Sequence, residues 1–552
     1  MTKWTRLAAA TGIAVAAMLG GCERGPAPAQ AVKGGDVVAR PILAADGVAA
    51  ASKPGEWLMW GKTPQRNMVS DEKGVPTEWQ VEVREEKDGK EVVTTPARNI
   101  KWVAQLGSQS YGNPIVTGGL VIVGTNNESH KDPKIQGDAS CLMIFDAQTG
   151  SFLWQRVTPK HPAGRVIDWP YQGVCSTVCV EGDTLWYATP NCEVVCLDLG
   201  PTKKDKAPPK ELWVYDMMKS DGVFPHNMTA CSTFVYQDWV FFITGNGVDE
   251  THKNLPAPDA PSVICFEKKT GKKVWSDKSP GKGILHGQYS SPAFAEANGV
   301  PLCICPLGNG WVYAYDCRDG KVVWQFDANL KETTYPTTRN ELISTPVIVG
   351  NLMYLPNGQD PEHGEGPGHI WCVDITKKGD VSLELAPEGA PAPKPGEELV
   401  APKGEVKGMK GRPNPNSGVV WHFRGQDFNK NGKVESKERM NRTISTVAVF
   451  EGLVYAPDFS GYLHCFDAKT GERYWVYDTE SAMWSSPMIA DGKVFLTNEN
   501  GDVNIFPAGK KDPKDDVIKI EMGSASYCSP VFTKGVLYLM TRDKLYAIEE
   551  KK

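Results

Sequence analysis

Apolar residues in this chain come in short alternating bursts separated by Gly, Asp, Asn and Pro, and not at helical spacing. Runs such as Gly452-Leu-Val-Tyr-Ala456 and Gly535-Val-Leu-Tyr-Leu539 are β-branched and aromatic, and predict strands. Each such run follows a segment marked by Ser, Thr or Pro: Gly112-Asn113-Pro114, Cys175-Ser176-Thr177, Cys231-Ser232-Thr233, Ser290-Ser291-Pro292, Ser344-Thr345-Pro346, Ile444-Ser445-Thr446, Ser485-Ser486-Pro487 and Cys528-Ser529-Pro530. A hairpin of the form small-x-Asp-x-x-x-Gly-x-x-x-Trp comes next. Its clearest copies run from Ala314 to Trp324 and from Cys465 to Trp475. Cys265 to Trp275 carries Glu267 at the acidic position, and Ile144 to Trp154 opens on a larger residue. Period-two alternation around a Thr-Gly or Asp-Gly turn predicts a hairpin.

Counted with its degenerate copies, the unit occurs eight times, with outermost strands beginning near Trp102, Trp154, Trp213, Trp275, Trp324, Trp421, Trp475 and Ile518. The Trp102 strand comes first, and Lys544-Leu-Tyr-Ala547 comes last without a partner of its own. The ring must therefore close by pairing its two ends, which also protects the strand edges. The expected fold is all-β: an eight-bladed β-propeller of four-stranded antiparallel blades, a Trp of each outer strand packing between neighbours. A two-sheet sandwich would not explain an eightfold copy number.

In this plan, loops joining strands one to two and three to four lie on one face. Most are minimal, as at Thr117-Gly-Gly119, Val349-Gly-Asn351, Glu451-Gly452 and Asp491-Gly492; the exceptions, 199–211 and 375–418, are Lys- and Pro-rich and read as solvated excursions. The other face collects long polar loops: 124–140, 155–174, 216–230, 245–262, 278–288, 328–342, 357–369 and 424–442. Seven of the nine histidines fall there: His130, His161, His226, His252, His286, His363 and His369; His422 and His464 sit in strands. Any ligand or partner is expected on this face.

Composition adds an N-terminal feature. Lys3 and Arg6 precede an apolar stretch, Leu7 to Leu19, that is too short to span a bilayer and ends in Leu19-Gly20-Gly21-Cys22. This resembles a bacterial lipobox, which implies acylation of Cys22; Glu23 in place of Asp favours the outer membrane, with the protein facing the periplasm. Residues 1–21 are then a lipoprotein signal peptide, 22–55 an Ala-, Pro- and Gly-rich flexible tether, and 56–552 the propeller. A net charge of −6 gives no basic footprint for nucleic acid. Cys196, Cys265, Cys372 and Cys465 share one position of a repeated strand and read as small buried hydrophobes. No CxxCH occurs, so a covalent c-type haem is excluded.

The hairpin pattern resembles the tryptophan-docking motif of pyrroloquinoline quinone (PQQ) dehydrogenases. It is similar too to that of their cofactor-free relatives, among them the propeller lipoprotein of the outer-membrane β-barrel assembly machinery. The resemblance spans about residue 57 to 549. Trp57-x-x-Trp60-Gly61 through Arg66-Asn67, and Gly358-Gln-Asp-Pro-Glu-His-Gly-Glu-Gly366, also resemble an uncharacterised group of PQQ-like repeat proteins of planctomycete-type bacteria. A quinoprotein-like ring is implied; the motif specifies a scaffold and not a cofactor.

Three constellations carry chemistry. Asp427-x-Asn429-x-Asn431-Gly432-Lys433-Val434-x-x-x-Glu438 fits an EF-hand-like Ca²⁺ loop over 427–438. Asp427, Asn429, Asn431 and Glu438 would give side-chain oxygens and Lys433 its carbonyl, with Val434 anchored inward. Next, Thr244-Gly245-Asn246-Gly247 resembles the dehydrogenase segment whose Asn ligates the Ca²⁺ beside PQQ, which gives Asn246 that role by resemblance or that of a turn residue. The family's adjacent Cys-Cys pair is missing, and no catalytic Asp stands at His286-Gly-Gln-Tyr289. Last, Asp360-Pro-Glu362-His363-Gly-Glu365-Gly-Pro-Gly-His369 mixes carboxylates with imidazoles suited to Zn²⁺ or Mn²⁺, and His226 and His286 are candidates to converge with it. Three functions follow: a binding or scaffold propeller with an outer-membrane or periplasmic protein partner, a PQQ/Ca²⁺-dependent alcohol or sugar dehydrogenase, and a metal-dependent activity of the His/Glu loops.

Overall fold

The computed structural model describes residues 55–387 and 409–550. The signal peptide, Cys22 and all of the tether but Gly55 lie outside the described residues. Eight four-stranded antiparallel blades are formed. The inner strands of blades 1 to 8 are Ile115–Thr117, Cys179–Glu181, Val235–Tyr236, Ala293–Ala297, Val347–Val349, Ala448–Phe450, Met488–Ala490 and Val531–Thr533. The matching outer strands are Phe152–Pro159, Lys210–Asp216, Lys273–Asp277, Val322–Asp327, Val419–Phe423, Arg473–Asp478, Ile518–Glu521 and Ile100–Gln105. Blade 8 therefore closes the ring as expected, Ala547 lying opposite Trp102 and Tyr546 opposite Val103.

Blades are locked to one another at the outside by the repeated Trp. The indole N–H of Trp102 donates to the Ala147 carbonyl of the next blade at 3.1 Å, and Trp275, Trp421 and Trp475 repeat this with Cys317, Ala468 and Gly509 at 2.9, 2.9 and 3.0 Å. The hairpin Gly is required twice over. Gly150 has φ +72°, and a Cβ there would come within 2.6 Å of the Trp102 ring. Register shifts after Ile144, Cys196, Cys265, Ala314, Cys372 and Cys465 place a bulge at the small residue of each hairpin. The cysteines at this position are buried, and every cysteine among the described residues is a free thiol.

On the inside, the Ser/Thr-marked segments form a closed circle of hydrogen bonds. The Asn113 amide donates to the Thr177 hydroxyl, Thr177 to Ser232, Ser232 to Ser291 and Ser291 to Thr345, at 2.8–3.1 Å. The Thr446 hydroxyl bridges back to the Thr345 carbonyl. Thr446 then donates to Ser486, Ser486 to Ser529, and Ser529 to the Asn113 side chain. In six blades a short hydroxyl thus satisfies a buried amide of its neighbour; in blade 1 the Asn113 side chain does so, and in blade 6 the Thr446 hydroxyl donates to a carbonyl instead.

The channel within this circle is plugged by the segment 56–72, which bonds to all eight blades. Trp57 pairs with Val116, and the carbonyls of Leu58, Pro64, Gln65 and Met68 accept the amides of Val180, Phe294, Ile348 and Ile489. Asn67 clamps Val449 through both its donor and its acceptor, and Glu72 accepts from Thr533 and Lys534. Arg66, with no exposed surface, spreads its guanidinium over the carbonyls of Trp60, Ser232 and Pro292 at 2.7–2.9 Å. Burial lowers its pKa to about 10, so it stays charged at neutral pH. These contacts run along the inner strands, from Ser232 and Pro292 just before the strands of blades 3 and 4 to Thr533 and Lys534 at the turn of blade 8.

Three expectations need correction. Residues 199–211 and the described ends of 375–418 are docked, not solvated. Leu199 and Thr202 are fully buried beside the helix Gly200–Asp205. Gly379–Asp380 pairs in parallel with the outer strand of blade 4, where the Ser382 hydroxyl accepts the Asp327 amide and Val381 is buried. These segments cover strand edges and bury apolar side chains, which a count of Lys and Pro does not reveal. The long loops are also shorter than expected, because strands extend to Asn126 and Pro159.

Removing Arg66 leaves three buried carbonyls unpaired. Arg66→Ala is expected to lower stability by about 3 kcal/mol or more, and Ser486→Ala, which orphans one amide, by roughly 1–3 kcal/mol. Shifts in the guanidinium midpoint of the purified protein check both.

Candidate metal centre

Five loops from blades 2 to 5 bring histidines and one acid together on the long-loop face. His226 precedes blade 3, and its buried ring donates from Nδ1 to the Val248 carbonyl at 2.8 Å, which leaves Nε2 a bare acceptor. His286 precedes blade 4; its own carbonyl accepts the Val248 amide at 2.9 Å. Gly247 sits between the two, where a Cβ would lie 2.5 Å from the His286 oxygen and 2.6 Å from the His226 Cβ, so only glycine permits this approach. His252 lies at the tip of a turn held by Asp249. Glu341 precedes blade 5, and its Oε1 accepts the Asp360 amide at 3.0 Å. His363 closes the one-turn helix Pro361–His363, capped by the Asp360 carboxylate.

The rings are in contact. Centroids of His226 and His286 are 4.3 Å apart, His252 and His286 4.8 Å, His226 and His252 4.9 Å, and His286 and His363 5.0 Å. Nδ1 of His286 is 3.5 Å and Nδ1 of His363 3.9 Å from Glu341 Oε1. The Tyr335 hydroxyl is 3.4 Å from His363 Nε2, and Arg442 donates to the His363 carbonyl. A cavity of about 330 Å³ opens beside His226 and His252, walled by Arg165, Trp169, Asn227 and Glu362.

Burial governs the charges here. It outweighs the Val248 carbonyl and holds His226 down at about 4; burial and the Arg442 guanidinium do the same to His363, and burial with three neighbouring rings takes His286 well below its ordinary value. Burial pushes the Glu341 carboxyl up to about 8 and that of Asp360 to about 6.

Of the residues singled out in the sequence, His226, His286, His363, Asp360 and Glu362 come together. Glu365 and His369 do not. Glu365 accepts from Ser460, and His369 lies buried 5.0 Å from the Trp371 ring. Asn246 is also committed elsewhere: its Oδ1 accepts the Phe224 amide and its Nδ2 donates to the Ala257 carbonyl. His252, Glu341, Tyr335 and Arg442 were not assigned to the cluster from sequence. A lone acid just before a Ser/Thr segment carries no local mark.

The 427–438 loop is separate. The carboxylate of Asp427 accepts the amides of Asn431 and Gly432, Asn429 Oδ1 that of Asn431, and Asn431 Oδ1 that of Lys433, so these oxygens turn into the loop. Glu438, buried, accepts from Phe428, Asn429 and Glu435. Val434 points outward, 45% exposed, against the inward anchor expected; there is no second EF-hand-like helix for it to pack on, only the short turn Ser436–Glu438.

A sequence profile described as outer membrane protein assembly factor BamB matches residues 229–385 and 413–551, more than half of the chain. The chain belongs to the BamB family. Among curated BamB proteins, that of Yersinia pestis is 25% identical over 274 residues, covering 46% of this chain and 64% of that one. The chain thus spans under two thirds of the length of this relative. The dehydrogenase subunit of the quinone alcohol dehydrogenase of Acetobacter aceti is 24% identical over 231 residues, 38% of this chain and 29% of that one. Two solved structures share the fold at 12% identity. BamB of Moraxella catarrhalis has a TM-score of 0.52 over 82% of this chain and 99% of its own, and a europium-containing methanol dehydrogenase 0.55 over 90% and 99%.

In this BamB-family chain the residues do not fit PQQ. Asn246, the resemblance-based Ca²⁺ ligand, has no exposed surface and both ends of its amide are spent. Cys303 and Cys305 come within 3.6 Å of each other, but inside a buried strand and not at the mouth of the channel.

A carboxyl whose folded pKa is raised stabilises the fold below its unfolded pKa and loses that contribution as pH rises through the folded value. After chelation, the Glu341 contribution should therefore decline between about pH 4.5 and 8. The lowered histidines act with the opposite sign, their contribution being lost as pH falls from 6.5 to about 4. Thermal melts of chelated wild type and Glu341→Gln should diverge in slope across pH 5 to 8, with the decline from this group absent in the variant.

Proposed function

We propose that the protein is a binding scaffold of outer-membrane protein assembly, anchored by acylated Cys22, facing the periplasm and engaging a protein partner with its long-loop face. One observation carries this reading. The plug fills the channel and the turns of one face are minimal, so the recognition surface is left to the long loops of the other. There, between blades 6, 7, 8 and 1, Tyr111 and Tyr527 stack at 5.0 Å, Trp484 meets Tyr527 edge-on at 5.3 Å, and Phe459 meets Trp484 at 5.5 Å. Half-buried aromatic clusters of this kind are typical anchors of protein interfaces. Membership of the BamB family supports an outer-membrane assembly partner.

Trp484→Ala combined with Tyr527→Ala is expected to reduce capture of outer-membrane assembly proteins from solubilised envelopes at least tenfold. Lys269→Ala, on the opposite face, should leave capture unchanged. Equal capture by both variants refutes the assigned face. Palmitate labelling that persists in Cys22→Ser refutes the anchor.

The 427–438 loop is proposed to hold Ca²⁺. Asp427, Asn429, Asn431 and Glu438 offer hard oxygen donors already turned inward, and two Asn in place of Asp lower the ligand charge and the affinity. Glu438 also satisfies three amides, so Glu438→Gln will destabilise the loop even without metal. The informative quantity is the increment: Ca²⁺ should raise the melting midpoint of wild type and not that of Glu438→Gln.

A further inference from the structure

The histidine cluster is unlike a scaffold surface. Neither ring nitrogen of the fully buried His286 has a hydrogen-bond partner among the described residues, and the same holds for His226 Nε2, His363 Nδ1 and Glu341 Oε2. An unpaired buried polar atom is costly, so several in one place signal a missing partner. The groups form two triads that share His286: His226, His252 and His286, and His286, Glu341 and His363, each with its ligand atoms within 4.8 Å of one another.

We propose that His286, Glu341 and His363 bind a late first-row divalent cation of the Zn²⁺ class, with His226 and His252 standing at its open side. The separations from Glu341 Oε1, 3.5 Å to His286 Nδ1 and 3.9 Å to His363 Nδ1, are close to the roughly 3.3–3.6 Å between neighbouring ligands of a tetrahedral ion with bonds of about 2.0–2.2 Å. Two imidazoles and one carboxylate, with a further position left to solvent, are the donor set of zinc sites that act on substrates. The outer contacts that such a site needs are present. The Asp360 amide holds the Glu341 carboxylate, the Tyr335 hydroxyl stands at His363 Nε2, and the Val248 carbonyl fixes the His226 tautomer so that Nε2 is free. The neighbouring cavity reaches His226 and His252, whose rings stand against His286. Burial keeps the rings of His226, His286 and His363 unprotonated near neutrality, with lone pairs ready for a cation. The cation would add to the Arg442 guanidinium as a counter-charge for the buried carboxylate of Glu341. The site goes beyond the scaffold reading and does not depend on it.

The test is titration of the chelated, purified protein with Zn²⁺ by calorimetry and with Co²⁺ by visible absorption. One ion per chain is expected, with the intense ligand-field bands of low-coordinate Co²⁺. Glu341→Gln and His286→Gln should each weaken Zn²⁺ binding by roughly 100-fold or more, since even outer-shell changes cost 10–100-fold. Lys269→Ala, exposed on the short-loop face, should bind Zn²⁺ as wild type does. Circular dichroism of each metal-free variant establishes that it is folded, and His363→Gln replaces any that is not. Absence of Co²⁺ bands in wild type, or wild-type affinity in a folded Glu341→Gln or His286→Gln, would overturn the proposal. Loss of metal binding without loss of partner capture leaves the scaffold reading standing, and the converse leaves the metal site standing.

Discussion

The structure depends on one constraint: the inner edges of all eight blades converge on a single axis, where water cannot satisfy their amides and carbonyls. An open strand edge in that position would carry a ring of unpaired donors and acceptors. Two layers answer it. The circle running from Asn113 through Thr177, Ser232, Ser291, Thr345, Thr446, Ser486 and Ser529 pairs each blade with the next. The plug around Arg66 then supplies the groups that the circle does not reach.

This solution decides where chemistry is placed. With the channel filled by the plug and one face closed by minimal turns, side chains carrying function are confined to the loops of the other face. Those loops start from rigid strand ends, so five of them from blades 2 to 5 hold His226, His252, His286, Glu341 and His363 in mutual contact without help from a ligand. The glycine at 247 is the sharpest sign of this, because it lets two buried rings meet where any side chain would keep them apart. The aromatic cluster at Tyr111, Trp484 and Tyr527 occupies the other half of the rim. The histidine cluster and the aromatic cluster therefore sit on the same face but on different blades.

Most of the fold was legible because its signals are local and repeated. A Ser or Thr before a strand, a Gly beneath a Trp and a small residue at a bulge each act within one blade or on its neighbour, and eight copies average out the degenerate ones. The candidate site was only half legible. His226, His286 and His363 stood out because histidines are few and fell in loops of one face. Glu341 did not, since what distinguishes it is complete burial where loops of several blades meet, a property of the assembled ring. The plug was hidden for the same reason. Trp57, Trp60 and Arg66 formed a noticeable motif, yet the Arg66 partners Ser232 and Pro292 lie 166 and 226 residues away. Composition misled at 199–211 and 375–418, where Lys and Pro suggested solvent and the chain instead covers a strand edge.

The plug has a consequence for the order in which the molecule is completed. Residues 56–72 leave the ribosome before any blade, but their partners are drawn from every blade, the last being Thr533, 461 residues downstream of Glu72. Blades 1 to 7 can form by pairing neighbouring stretches of sequence, at modest loop-closure entropy, whereas this segment gains its full set of bonds only when the final inner strand is present. What is made first must wait for what is made last. Until then the circle from Asn113 to Ser529 stays open, and Glu72 keeps its carboxylate in water for want of Thr533 and Lys534.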